Sequence, residues 1–194
     1  MKLYLLLFIA IGFAACNRTQ PKKEARKKPA SNLRQYADVI YAEQKDPLYR
    51  IGGDGSNSGY LKYNGDTVIP VGKYSMIFTD TFRTYAFVYD KVATKGKMVA
   101  INRNDEIIFD AYLFDNGPDY TAEGLFRIIR NGKIGYADEN GEVVISAKYG
   151  CAFPFENGKA KVAVNCKNTS DGEHTSAESD EWIYIDRDGK TINQ

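Results

Sequence analysis

LYRI (Leu48–Ile51), AFVY (Ala86–Tyr89), LFRI (Leu125–Ile128) and AKVA (Ala160–Ala163) decide the fold class of this 194-residue chain. Their starts lie 38, 39 and 35 residues apart, and a recurring period of that size marks a repeat architecture. Each run leads to a second one that ends in a tight reversal: GYLKYNG (59–65), MVAINRND (98–105), IGYADENG (134–141) and WIYIDRDG (182–189). A third run follows in every unit, TVIP from Thr67, EIIF from Glu106, VVIS from Val143 and TIN from Thr191. The first three units then pass Tyr74, Tyr112 or Tyr149 toward Phe82, an irregular stretch over 119–123, or Phe155.

Short runs rich in Val, Ile, Tyr and Phe, separated by Asn-Gly or Asp-Gly, are strands joined by hairpins. No helical period survives within residues 48–194. Gly65, Gly141 and Gly189 supply the positive φ such turns require, and Asn104 with Asp105 tolerates the same region at modest cost. Asp138 and Asp186 open two of the turns, where a carboxylate bonds local amides.

These units resemble WG repeats, a bacterial family whose pattern runs roughly Gly-Lys-Trp-Gly-Tyr-Ile-Asp, Gly, Val-Ile-Pro, Tyr and Phe. The third unit matches best, with Gly132, Lys133, Gly135, Tyr136 and Asp138, then Gly141, Val144, Ile145, Tyr149 and Phe155. The first keeps Gly59, Tyr60, Gly65, Val68, Ile69, Pro70, Tyr74 and Phe82, and the last keeps Trp182, Tyr184, Ile185, Asp186 and Gly189. The Trp-Gly pair itself is absent, since Ile134 precedes Gly135 and Ile183 follows Trp182, so the resemblance is to a divergent member. One unit has too few apolar side chains to stand alone, and neighbours must share a core. The expectation is an all-β array of about 3.5 antiparallel β-meanders, either an open solenoid-like arc or propeller-like blades. Leu33, Tyr36, Ala37, Ile40 and Tyr41 fall on one helical face, which predicts a short capping helix over 32–45 on the first exposed edge.

Ahead of the repeats lies an address. After Met1 and Lys2, the apolar run Leu3–Phe13 spans about 16 Å as a helix, short of the ~30 Å hydrocarbon core, so residues 1–15 are a signal peptide rather than a membrane span. Ala14, Ala15 and Cys16 resemble a bacterial lipoprotein signal, with Phe13 where that motif prefers Leu; the resemblance implies lipidation of Cys16. Residues 16–35 form a polar, Pro-containing tether, and 36–194 the repeat domain. Seven Lys or Arg against Glu24 give residues 17–35 a charge of +6, which suits attraction to anionic lipid as well as plain solvation. Residues 36–194 hold 18 basic and 24 acidic side chains, and a body of that sign repels nucleic acid.

Catalytic motifs are missing. The single His174 lies in a polar insertion with Asp171, Glu173, Glu178 and Asp180, without zinc or calcium ligand spacing. Asp54, Ser56 and Ser58 imitate half a calcium loop, but Gly65 stands where the bidentate Glu is needed. No metal or cofactor is expected. Cys151 and Cys166 flank a hairpin; with its turn at Asn157 and Gly158, Cys151 would face Val164, leaving Cys166 a diagonal neighbour. That geometry leaves both a disulfide, given a bulge, and two buried thiols open.

The reading is a lipid-anchored, periplasm-facing binding or scaffolding module of a bacterial cell envelope, not an enzyme, whose partner is an envelope protein or glycan. The rivals are a glycan hydrolase, which needs two facing carboxyls, and a structural spacer. Because tyrosine offers a rigid ring and a wet hydroxyl, the repeat-equivalent Tyr60, Tyr136 and Tyr184 are the candidate partner-contacting residues, unless their shared position is a packing ladder.

Overall fold

The computed structural model describes residues 45–53, 56–170 and 175–192. The first unit contains β1 (Leu48–Ile51), β2 (Ser56–Leu61), β3 (Thr67–Ile77) and β4 (Thr81–Phe82). The second has β5 (Tyr85–Asp90), β6 (Lys97–Asn102) and β7 (Ile107–Ala111), then a small hairpin of β8 (Leu113–Phe114) and β9 (Gly117–Pro118). The third has β10 (Leu125–Arg130), β11 (Lys133–Asp138), β12 (Val143–Tyr149) and β13 (Cys151–Ala152). The fourth has β14 (Ala160–Ala163), an inserted hairpin of β15 (Lys167–Ser170) and β16 (Thr175–Glu178), β17 (Ile183–Ile185) and β18 (Thr191–Ile192).

All pairings are antiparallel, and the hairpins fall where the turn residues put them. Asp138 Oδ1 accepts from the amides of Asn140 and Glu142, and Asp186 Oδ1 does the same for Asp188 and Lys190. Asp105 takes the left-handed conformation, φ 66°, that Gly65, Gly141 and Gly189 adopt in the other units.

The expected solenoid-like arc or propeller of separate stacked units is not what forms. Three units merge edge to edge into one ten-stranded sheet, ordered β12-β11-β10-β7-β6-β5-β3-β2-β1-β4. The reason lies in the third strand of the first two units, which pairs with its own hairpin on one edge and with the next unit on the other: Met76 and Ile77 of β3 face Tyr89 and Val88 of β5, while Asp110 and Ala111 of β7 face Ile129 and Ile128 of β10. Strand-to-strand hydrogen bonds within one sheet therefore replace face-to-face stacking of blades. Past Tyr149 the chain leaves this sheet, and β13 starts a separate four-stranded sheet, β13-β14-β17-β18. Both sheets stay open. Of the expected capping helix, residues 32–44 lie outside the described residues, and no helix occurs among the described elements.

Burial follows a period of two units rather than one. Leu48, Tyr60, Ile69, Tyr74 and Phe82 of the first unit form a core with Ala86, Val88, Val99 and Ile101 of the second. Leu125, Tyr136, Ile145, Tyr149 and Phe155 of the third repeat that core with Ala160, Val162 and Ile185 of the fourth. Between them a third cluster uses the opposite parity: Phe87, Ala100 and Phe109 of the second unit meet Phe126, Ile128 and Ala137 of the third. Successive strand residues point to opposite faces, so Phe87 and Phe126 face away from the side where Ala86 and Leu125 are buried.

The repeated glycine before the tyrosine has a steric cause. A Cβ on Gly59 would sit 2.5 Å from the Ile69 carbonyl oxygen, and one on Gly135 would sit 2.5 Å from that of Ile145. At both places the ladder to the third strand shifts register, which brings the two backbones together.

Candidate functional site

Two of the three candidate tyrosines belong to the core. Tyr60 and Tyr136 are both 0% exposed, each ring edge-on to the phenylalanine of its own unit, Phe82 at 5.0 Å and Phe155 at 4.9 Å. Their hydroxyls donate to the carbonyl oxygens of Thr79 at 2.5 Å and Phe153 at 2.7 Å. Burial pushes both phenols well above the ordinary tyrosine pKa, against the opposing pull of Arg50 and Arg127. The assignment of Tyr60 and Tyr136 as partner-contacting residues is therefore corrected to a packing role. A repeated tyrosine followed by a repeated phenylalanine marks a ladder closed by the next unit.

Tyr184 differs, being half-buried on a sheet face with no such cover among the described residues. In the four-stranded sheet Lys161 pairs with Tyr184, and Tyr184 with Ile192, so these three share one face. Phe153 joins that row, its amide bonded to the Lys161 carbonyl at 3.0 Å, and Trp182 lies two residues before Tyr184 on the same side. The Trp182 ring is 5.6 Å from that of Phe153. Ammonium groups lie over the rings, Lys161 Nζ 4.6 Å from Trp182 and Lys159 Nζ 4.7 Å from Tyr184. Phe153 is 44% exposed and Ile192 36%. The result is an aromatic surface with two cations lying over its rings, suited to contact rather than to covalent chemistry.

The alternation of residues 159, 161 and 182, 184 along two strands was legible in the sequence. What it did not reveal is which of the two faces stays open.

Residues 134–167 match the family model of the WG containing repeat. No curated protein and no solved structure matches the chain. The match starts at Ile134, covers β11 to β14 and ends at Lys167, so it takes in Gly135, Tyr136 and Phe155, whose close approach and ring contact were described above.

A second constellation was missed. Arg127 lies opposite Tyr136 on β10 and is buried, as is its partner Asp119. Arg127 Nε and Nη2 donate to Asp119 Oδ2 and Oδ1 at 2.8 and 2.6 Å, Nη1 donates to the Ala152 carbonyl at 3.2 Å, and the Arg127 amide donates to Oδ2 at 2.9 Å. The guanidinium also lies 4.1 Å from the centre of the Tyr112 ring. Burial works against its charge, but the hydrogen bonds and charge of Asp119 outweigh that and raise its pKa. With all four contacts made, the pair is a structural clamp over the third unit's core. In the first unit the equivalent Arg50, opposite Tyr60, pairs with Asp80 at 2.7 Å. The sequence signal was present, since LYRI and LFRI carry Arg at a position where AFVY and AKVA carry Val.

Cys151 and Cys166 are joined as a disulfide, their Cα atoms 5.7 Å apart. Cys151 faces Ala163 rather than Val164, a one-residue shift from the register that Glu156 and Lys159 start at the turn. Bends at Val164 and Asn165 then swing Cys166 back beside Cys151. In unreduced, alkylated protein neither thiol should take the label, and reduction should cost about 3 kcal/mol for a loop of this length. Mass spectrometry showing both cysteines labelled would contradict the link. Cys16 and His174 lie outside the described residues, and among those described no group of three or more His, Cys, Asp or Glu side chains is placed to hold a metal ion.

Proposed function

We propose that this protein is a lipid-anchored, non-catalytic binding or scaffolding module of a bacterial cell envelope, a divergent WG-repeat protein whose contact surface is the face of Phe153, Trp182 and Tyr184. The observation that carries this reading is the contrast between equivalent tyrosines. Tyr60 and Tyr136 are sealed by neighbouring strands, while Tyr184 is half-buried on a sheet face with the half-buried Trp182, the single tryptophan of the chain, and the exposed Phe153. Aromatic rings exposed together on a rigid sheet are enriched at interfaces and hold a partner at low entropic cost. The anchor rests on the lipobox-like Ala14-Ala15-Cys16.

The test is capture from the envelope by tagged full-length protein, with protein and glycan fractions analysed separately. Wild type should stay with the membrane and retain a partner, Cys16→Ser should leave the membrane fraction, and the double variant Trp182→Ala, Tyr184→Ala should keep its circular dichroism but lose the partner. An unchanged partner in the double variant would overturn the face, membrane retention of Cys16→Ser would overturn the anchor, and release of glycan fragments on incubation would overturn the non-catalytic reading.

A further inference from the structure

Two tight turns from distant parts of the chain meet. Glu123 and Gly124 form one, with φ 52° and 78° and Ala122 bridged to Leu125. Asn157 and Gly158 form the other, with φ 53° and 76° and Glu156 bridged to Lys159. Two left-handed residues in succession make a type I′ turn, whose first position favours Asn, Asp or Gly. Asn157 obeys that preference and Glu123 breaks it, holding a long side chain in a backbone region that L residues seldom adopt. Strain of that kind points toward a role for the side chain. Its contact is specific: the Gly158 amide donates to Glu123 Oε2 at 2.9 Å.

The nitrogen of that amide is a latent nucleophile. In an Asn-Gly pair it can attack the Asn side-chain carbonyl carbon and close a five-membered ring, since glycine has no Cβ to obstruct the approach. The chain has five such pairs, and the structure separates them. After Asn64 and Asn140 the glycine amide donates to a backbone carbonyl, that of Lys62 at 3.0 Å and of Asp138 at 2.9 Å, which is no base. Gly117, after Asn116, is held in the β8–β9 ladder opposite Phe114. Asn131 and Gly132 repeat the turn of Asn157 and Gly158, with φ 51° and 72°, but among the described residues no carboxylate accepts from the Gly132 amide. At Gly158 a carboxylate sits on the attacking nitrogen, within the reach of a general base. A Cβ built on Gly158 would meet nothing within 4 Å, and Glu123, Asn157 and Gly158 are exposed, so water reaches the site.

We propose that Asn157 and Gly158 form a self-modification site, at which Glu123 acts as general base in converting Asn157 to an aspartyl or isoaspartyl residue. The Gly158 nitrogen bonds to Asn157 Cγ while its proton passes to Glu123 Oε2. The Cγ–Nδ2 bond then breaks, the proton is returned to the leaving nitrogen, and ammonia departs. Water opens the resulting succinimide at either carbonyl, and Glu123 ends as it began. The new carboxylate stands one residue from the Glu123 contact, and the isoaspartyl form adds a carbon to the main chain of a two-residue turn, which opens the hairpin leading into Lys159. The reaction does not depend on the contact surface of the fourth unit.

Full-length protein incubated at neutral pH in heavy-oxygen water, digested in acid and mapped by mass spectrometry, tests this with Asn131 as the internal reference. Asn157 should convert roughly tenfold or more faster than Asn131. Glu123→Gln, which keeps an acceptor oxygen but cannot take the proton, should bring Asn157 down to the Asn131 rate, with circular dichroism unchanged. Conversion of Asn157 no faster than Asn131 in the wild-type protein would overturn the proposal, whether or not the variant folds. An equal or higher Asn157 rate in folded Glu123→Gln would also overturn it, because the contact would then be a clamp on the turn rather than a base.

Discussion

Replacing Asp119 by Ala should destabilise the protein by about 3–5 kcal/mol, because it strands the buried Arg127 guanidinium without its counter-charge. Three of the four hydrogen bonds in that cluster end on the Asp119 carboxylate, including the one that satisfies the Arg127 backbone amide. Removing both charges with Asp119→Leu and Arg127→Met should recover much of the loss, since a well-packed apolar pair often matches a buried ion pair. Recovery should be incomplete, as the Arg127 amide loses its acceptor and an unmade buried hydrogen bond costs about 1–3 kcal/mol. Urea unfolding of the two variants measures this. A loss below about 1 kcal/mol for Asp119→Ala, within the range of exposed pairs, would mean that the clamp is not closed in solution.

Tyr136→Ala should cost a similar amount, about 3–5 kcal/mol, by opening a cavity beneath Phe155 and removing the hydroxyl that satisfies the Phe153 carbonyl. At the equivalent position of the fourth unit, Tyr184→Ala should cost about 1 kcal/mol or less. The same residue type at the same place in the repeat thus has opposite roles, and the difference in unfolding free energy between the two variants reads it out. Equal losses would remove the distinction between core and surface on which the functional reading stands.

Much of the local structure was legible in the sequence because turn chemistry is local. Asp138, Asp186 and the glycines after them bend the chain whatever surrounds them, and side-chain alternation then follows. How units join was not legible, because it depends on the second edges of β3 and β7 being taken by the next unit's first strand rather than by a separate sheet. The fate of the repeated tyrosines was hidden for the same reason. Tyr60 and Tyr136 are buried only because β5, β6, β14 and β17 supply the other half of their cores. The clamp was overlooked because Asp119 comes from the preceding unit, in a stretch with no periodic pattern of its own. The cysteines depended on a one-residue register shift and a bend, neither of which has a sequence signature here.

Neighbouring units bury Tyr60 and Tyr136 completely, whereas Tyr184 of the fourth unit keeps part of its ring at the surface. Hydroxyl-radical footprinting of dilute protein, read residue by residue by mass spectrometry, separates the two environments. Tyr184 and Phe153 beside it should oxidise rapidly, while Tyr60 and Tyr136 stay protected. Oxidation of Tyr136 as fast as Tyr184, or equal protection of all three tyrosines, would contradict this contrast.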